Sequence, residues 1–243
     1  MEEKIKVLFI GNKVPFPDVD GGTAASKAII QNLLDAGCIV QAVFFDTEKH
    51  PVYPQALFPE WHDPAFSMSS IRVNTRVNLR DALLNLFFSS KSYHVIRVQK
   101  SEVQKQIQAI TEAMQPQVIL LDGLFALAQA PFLKSVSRAP LVYRAHNIES
   151  EVWYRLAANS RLLPKRYYLN LLARRLEKFE KKTGHLLAEV WAISEPSAVF
   201  FGRLQVPVKV VFPAFRISAA ADTQKVYSGS GAFRMFHVGA MDW

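Results

Sequence analysis

Apolar residues fall in short blocks along the chain, and the period inside each block decides what it predicts. Residues 5–10 (Ile-Lys-Val-Leu-Phe-Ile) form a β-rich run closed by Gly11-Asn12 and a loop that carries Pro15 and Pro17. From Thr23 to Ala36 the apolar positions Ala25, Ala28, Ile29, Leu33 and Ala36 recur at helical spacing, and Gly37 supplies the stop. Residues 39–45 (Ile-Val-Gln-Ala-Val-Phe-Phe) read as the next buried strand. Two near-continuous apolar strands separated by an amphipathic helix make one βαβ unit and predict a parallel sheet covered on both faces.

The rhythm breaks between His50 and Pro64, where Pro51, Pro54, Pro59 and Pro64 crowd together and predict a surface excursion without regular structure. Residues 81–88 and 101–114 read as helices, and Pro116 ends the second. Strand, loop and helix then alternate again. Val118 to Leu121 is a strand, followed by Asp122-Gly123 and an apolar helix to about Val136. Leu141 to Tyr143 is the next, followed by a turn from Arg144 to Ile148 and a helix from Glu149. A long helix from about Lys165 to Leu187 leads to strand Val190 to Ile193, a short helix capped by Ser194, and strand Val208 to Phe212. The fold class is therefore α/β, a doubly wound parallel sheet of Rossmann-like type. Residues 213–232 turn small and polar and read as a linker, 233–238 as another strand. An apolar strand followed at once by Met241-Asp242-Trp243 suggests a sequence cut at the opening of a second domain.

Composition narrows the classes. The 243 residues are half apolar and one-fifth charged, which excludes disorder, collagen-like repeats and coiled coils. A single cysteine, Cys38, forms no intrachain disulfide, and six scattered histidines show no zinc-site spacing. No apolar run approaches the roughly 18 residues needed to cross a bilayer, and the start Met1-Glu2-Glu3-Lys4 lacks a signal-peptide n-region. A reducing, cytoplasmic setting is the expectation.

In a doubly wound sheet, ligands gather at the carboxyl ends of the strands, so the loops that follow strands hold the candidate chemistry. The first such loop ends in Asp20-Gly21-Gly22-Thr23 at a helix start. The two glycines there remove the Cβ atoms that would block a ligand, and free helix amides suit a phosphate, though the same residues also make a plain turn. Neither the Gly-x-Gly-x-x-Gly nor the Gly-x-x-x-x-Gly-Lys-Ser/Thr fingerprint is present. The second loop, Tyr143 to Glu149, crowds hydrogen-bonding side chains into a strand-to-helix turn. His146 and Asn147 can bond a ligand there and Glu149 can orient the histidine. Alternatively Asn147 caps the helix, Glu149 complements its dipole and His146 packs. Asp122 is either a turn residue or a ligand.

Taken in order, these pieces resemble a family. The opening KVLFIGNKVPFPDVDGGTAASKAIIQNLLDAG, the middle VYRAHNIESEVWYRLA, the run LARRLEKFEKKTGHLLAEVWAISE and the ending FHVGAMDW look like the N-terminal half of family-4-type (group 1) glycosyltransferases of GT-B fold. The resemblance implies two Rossmann-like domains facing across a cleft, the first mainly holding the acceptor and the second the nucleotide-sugar donor. It implies residues 1–212 as the acceptor-side domain, 213–232 as linker, and 233–243 as the first strand of a truncated donor-binding domain. Gly21 and Gly22 would approach the donor diphosphate, His146 would contact the transferred sugar as the catalytic histidine, and Asp122, Asn147 and Glu149 would shape the cleft or acceptor site. The activity implied is retaining transfer from a nucleotide sugar to a glycan or lipid-linked acceptor, as in polysaccharide biosynthesis, with neither cofactor nor metal. The chain departs from the family where an aromatic and an arginine often follow the glycine pair, because Thr23 and Lys27 stand there instead. The paired glutamates of the family's second domain fall beyond this chain, so it is expected to be inactive alone.

Charge adds one more feature. The net charge is +8, and the window from Glu151 to His185, with nine basic and three acidic residues, carries 9 − 3 = +6 of it. In the long helix Leu169, Leu172, Leu176 and Phe179 follow one stripe, while Arg174, Lys178 and Lys181 fall on another. Arg174, Arg175, Lys178, Lys181 and Lys182 are the candidate anion-facing residues. That face is either simply solvated or docks on anionic membrane or an acidic glycan, peripheral to the inner membrane surface. The docking reading makes the chain a non-catalytic module, the alternative to a transferase. No recognition-helix or stacking motif accompanies the charge, so nucleic acid is not an expected partner.

Overall fold

The near-continuous apolar runs pair side by side, as strands buried on both faces must. The structure, a computed structural model, describes residues 4–16, 20–52 and 63–212. Seven strands, β1 (Lys6–Gly11), β2 (Ile39–Asp46), β3 (Phe66–Arg72), β4 (Val118–Asp122), β5 (Leu141–Ala145), β6 (Glu189–Ala192) and β7 (Val208–Val210), form one sheet in the order β3-β2-β1-β4-β5-β6-β7. Every pairing is parallel. The helices are α1 (Gly21–Asp35), α2 (Leu79–Phe88), α3 (Tyr93–Ile96), α4 (Ser101–Met114), α5 (Leu124–Leu127), α6 (Ala130–Val136), α7 (Glu149–Ala158), α8 (Leu163–Gly184) and α9 (Glu195–Gly202).

Helices cover both faces. On one, Ile30 and Leu34 of α1 pack on Phe9, Phe44 and Leu120 of the sheet. On the other, Val103 and Ile107 of α4, Leu133 of α6, Leu176 of α8 and Phe201 of α9 join Leu121 and Tyr143. The α/β doubly wound expectation is met, and α1 ends where the sequence predicts, with Gly37 at φ +83°. Ser194 caps α9, its hydroxyl accepting from the Ser197 amide.

Three features differ from the sequence expectation. Strand β3 pairs with β2 at one edge of the sheet, although its Phe-Ser-Met-Ser-Ser-Ile-Arg stretch has no continuous apolar run. An edge strand is covered less, so it needs fewer apolar residues than a central one. The helix expected up to Val136 is two, α5 and α6. Between them buried Gln129 donates to the Val98 carbonyl at 2.7 Å, and Pro131 sits in the first turn of α6, where its missing N–H is tolerated. The turn of helix at α3 carries no periodic signal at all. The linker at 213–232, the strand at 233–243 and most of the proline-rich stretch lie outside the described residues.

Candidate functional site

The strand order reverses between β1 and β4, and such a switch point opens a crevice at the strands' carboxyl ends. Register places Gly11 of β1 opposite Asp122 of β4, and Asp122 opposite Arg144 of β5, so these residues form one row across the sheet. Side chains in one row share a face, and here it is the face that α1 covers. His146, two residues beyond Arg144, returns to that side.

The row becomes a polar cluster. Asp122 is 2 % exposed, and its Oδ1 accepts from Arg144 Nη1 at 2.7 Å and lies 2.5 Å from His146 Nε2. From α1, Ser26 Oγ approaches Asp122 Oδ2 to 2.5 Å, and its single proton goes to this carboxylate rather than to the Gly22 carbonyl at 3.0 Å. Arg144 is also buried. Burial alone would raise the Asp122 carboxyl, but His146, Arg144 and Ser26 together hold it down at about 2. The carboxylate is thus ionised at neutral pH. A carboxylate this close to Nε2 requires the ring proton there, pointing at Oδ1. Arg144 Nη1, 2.8 Å from the same nitrogen, then turns its protons to Asp122 and Ser26. His146 Nδ1, which makes no hydrogen bond among the described residues, is the ring atom left for a ligand, on a side chain 24 % exposed.

Loop geometry around the cluster is set by Gly123. It adopts φ +86° and ψ −179°, a region open essentially to glycine alone, and a Cβ there would lie 2.5 Å from Asn12 Nδ2. Asn12 Oδ1 in turn accepts from the Phe125 amide at 2.9 Å and the Ala126 amide at 3.3 Å, which fastens the β1 loop to the start of α5.

Gly21 and Gly22 open α1 beside this row. A Cβ on Gly21 would meet nothing within 4 Å, so the backbone there is open to an approaching group. The helix start already holds an anion, however. Asp20 Oδ1 accepts from the Thr23 amide at 2.8 Å, Thr23 Oγ1 accepts from the Asp20 amide at 3.0 Å, and Lys13 pairs with the same carboxylate. Burial works against ionisation of Asp20, but Lys13 and the Thr23 amide outweigh it and lower the carboxyl to about 2. A phosphate at this end would meet that charge.

Asn147 is exposed and caps nothing, because the residue at the N-cap of α7 is Ile148. The first amides of α7 are instead met from another helix. Glu180 of α8, 1 % exposed, accepts from the Glu149 amide at 2.8 Å and the Ser150 amide at 3.3 Å. Burial raises the Glu180 carboxyl to about 7 despite those amides, and burial also raises Glu149, partly offset by His146.

The structure therefore brings Asp122 and His146 into contact, places Gly21 and Gly22 at the helix start beside them, and leaves Asn147 on the surface. Ser26, Arg144 and Glu180 were not singled out from sequence. His146, just past the end of β5, stands two residues from Arg144, a spacing that marks one face in extended chain, so that pair was discoverable; Ser26, 96 residues from Asp122, was not.

The candidate anion face changes as well. Arg174, Lys178, Lys181 and Lys182 are exposed, and Leu169, Leu172 and Leu176 are buried opposite them. Lys181 is paired with Glu177 at 2.6 Å. Arg175 does not belong to that face. Its guanidinium donates to the Asn85 carbonyl at 3.0 Å, which also accepts from the Ser89 amide, and to the Leu86 carbonyl at 2.9 Å, in the last turn of α2 where carbonyls run out of helical partners. Among the described residues, no helix is long and apolar enough to cross a membrane.

Comparison with solved structures gives the architecture its setting. The chain is similar to Arabidopsis thaliana UGT89C1 complexed with UDP-L-rhamnose, with a TM-score of 0.51 and 16 % identity over 88 % of this chain and 49 % of that one. It is similar to a sucrose-phosphate synthase from Thermosynechococcus elongatus, with a TM-score of 0.54 and 11 % identity over 86 % of this chain and 48 % of that one. The fold is that of one Rossmann-like half of a GT-B architecture. The chain spans about half the length of the solved structures it matches. No protein-family model and no curated protein matches the sequence.

Proposed function

We propose that the chain is the acceptor-side half of a retaining glycosyltransferase of the group 1, family-4 type, acting with a second domain that holds a nucleotide-sugar donor. The carrying observation is the Asp122–His146 contact at the switch point, on a sheet folded like half of a GT-B protein. That one such neighbour is complexed with UDP-L-rhamnose supports a nucleotide-sugar donor here.

In this reading the bond from the sugar's anomeric carbon to the nucleoside diphosphate oxygen breaks, the carbon bonds to an acceptor hydroxyl, and the hydroxyl's proton passes to the departing diphosphate. Asp122 fixes the ring of His146 so that Nδ1 faces the transferred sugar, and the open backbone at Gly21 leaves room for the sugar end of the donor, away from the Asp20 carboxylate that stands against Gly22. Stabilising the departing diphosphate requires groups on the facing wall, so the half alone is inactive. The acceptor is a glycan or a lipid-linked glycan, in a cytoplasmic setting.

The test is donor turnover by the protein extended through its second domain. His146→Ala is expected to lower turnover at least about hundredfold, and a product of retained anomeric configuration, read by NMR, is expected from the parent. Turnover by the variant at the parental rate would remove His146 from the chemistry. A second reading, peripheral contact with anionic membrane, is favoured by the exposed stripe Arg174, Lys178 and Lys182. Sedimentation with anionic vesicles that is lost at high salt would support it, and no sedimentation at low salt would exclude it.

A further inference from the structure

A hollow of about 560 Å³ opens beside the loop that follows β3, between the first turn of α2 and the segment from α3 to Lys100. Arg76, Arg97 and Lys100 line it, against a single carboxylate, Asp81. Arg76 also reaches Glu48 at 3.8 Å, outside the hollow, so three cations against two carboxylates leave a surplus of about one positive charge, centred on Arg97 and Lys100.

Arg97 is what makes the hollow more than a charged surface. It is only partly exposed, and among the described residues no carboxylate lies within ion-pair distance of it. Its Nη1 donates to the Thr75 carbonyl at 2.5 Å, its Nη2 lies 2.9 Å from His94 Nδ1, and its Cζ lies 5.1 Å from the centroid of the Tyr93 ring. A guanidinium donates, so His94 accepts at Nδ1 and carries its proton on Nε2, which is buried without a partner. The ring is stacked on Trp153 of α7 at 4.2 Å, and burial lowers its pKa to about 4, so it adds no charge. These contacts hold Arg97 in place and neutralise none of its charge. A partly desolvated cation without a counter-ion is costly, and the cost is recovered when an anion arrives.

A second observation points the same way. The fourteen-residue helix α4 begins at the rim, with Lys100 as its N-cap residue, and no side chain caps its first amides. Its positive end therefore adds to the field of the three cations.

We propose that this hollow binds a phosphate group carried by the acceptor. A phosphate oxyanion answers that surplus, and a guanidinium held in a fixed orientation without a counter-ion suits a tetrahedral oxyanion. The hollow lies at the same, carboxyl edge of the sheet as Asp122. Three strand spacings separate β3 from β4, roughly 14 Å, and Trp153 links the hollow to the helix that follows the His146 turn. A phosphorylated glycan or glycolipid held here by its charge can extend along that edge toward His146. The ligand class deepens the sugar-transfer reading and rests on it for its purpose, but binding itself needs no donor.

The experiment is titration of the purified chain at low salt, followed by amide NMR, with glucose 1-phosphate as the soluble probe and phosphatidylcholine vesicles containing phosphatidic acid as the lipid probe. Saturable binding of at least one probe is expected, and which one binds tells whether the phosphate is soluble or lipid-borne. Arg76→Ala and Lys100→Ala, both at exposed positions, should each weaken it about fivefold. Arg97→Lys should weaken it at least about tenfold. Lys178→Ala and Lys182→Ala, on the outer face of α8, should leave it unchanged. No binding of either probe up to millimolar concentration overturns the proposal, as does binding weakened equally by the α8 variants. Failure of the extended protein to turn over a nucleotide sugar removes the transferase reading and leaves these binding results standing.

Discussion

His146 Nε2 stands 2.5 Å from Asp122 Oδ1, across the ends of neighbouring strands, and the same oxygen accepts from buried Arg144 at 2.7 Å. The carboxylate thus neutralises a guanidinium and orients an imidazole at once. Removing its charge strands the first while releasing the second. Asp122→Asn is therefore expected to destabilise the protein by about 3 kcal/mol, because Arg144 becomes a buried cation without a partner. Ser26→Ala, which removes only one donor to the same carboxylate, should cost about 1 kcal/mol. Urea denaturation of the three proteins checks both, and equal stability of Asp122→Asn and the parent would contradict the ion-pair role.

Two carboxyls set opposite slopes of stability with pH. Glu180 titrates near 7 in the folded state against an ordinary 4.5. Between those values the folded protein holds more protons than the unfolded chain, so stability falls as pH rises through the window, by up to roughly 3 kcal/mol. Asp122, at about 2 against an ordinary 3.8, contributes stability that is present above the ordinary value and lost as pH falls toward the folded one. Denaturation curves from pH 2 to 8 should show a maximum near pH 4 to 5 for this pair of groups. Glu180→Gln should flatten the upper slope and leave the lower one; the upper slope keeps a remainder from Glu149, which burial raises too.

The backbone at Gly123 combines a glycine-only conformation with a close neighbour, and the two are separable. Gly123→Ala is expected to cost about 3 kcal/mol, part from φ +86° and part from the Cβ that would meet the Asn12 side chain. In an Asn12→Ala background the second part disappears, so the same substitution should cost roughly 1 kcal/mol less. A double-mutant cycle by thermal denaturation reads the difference, and full additivity would mean that the contact carries none of it.

Arg175 and Arg174 are neighbours in sequence with different work. Arg175→Met should leave the Leu86 carbonyl unpaired at the end of α2, while the Asn85 carbonyl keeps the Ser89 amide, and lower stability by about 1 kcal/mol. Arg174→Met, on the solvated stripe, should stay within about 0.5 kcal/mol of the parent. Faster hydrogen exchange at α2 amides only in the first variant would locate the effect.

Much of this architecture can be read from the chain because central parallel strands are apolar on both faces. β1, β2, β4 and β5 announce themselves as runs such as Val-Leu-Phe-Ile, and Gly37 and Ser194 mark helix ends by their own chemistry. Strand β3 escapes because three serines interrupt it at a partly exposed edge, and the break between α5 and α6 escapes because Gln129 is called there by the distant Val98 carbonyl. The site divides along the same line. Asp122 closes β4 and His146 stands directly after β5, so both can be found, whereas Ser26 looks like any serine on a helix until the helix is laid over β4. Arg175 shows the reverse error, since positive charge alone says nothing about whether a side chain meets water or a helix end.

The buried carboxylate that crosses from α8 to α7 also bears on how the molecule is assembled in time. The opening turn of α7 has no cap of its own, so its first amides stay unpaired until Glu180 arrives, and Glu180 arrives only when α8 has docked on the sheet through Leu176. The two helices, joined by the short stretch 159–162, are thereby made into one cooperative unit. Whatever opens α8 also frees the turn that carries His146, so the imidazole keeps its place only while a helix on the far side of the loop stays closed.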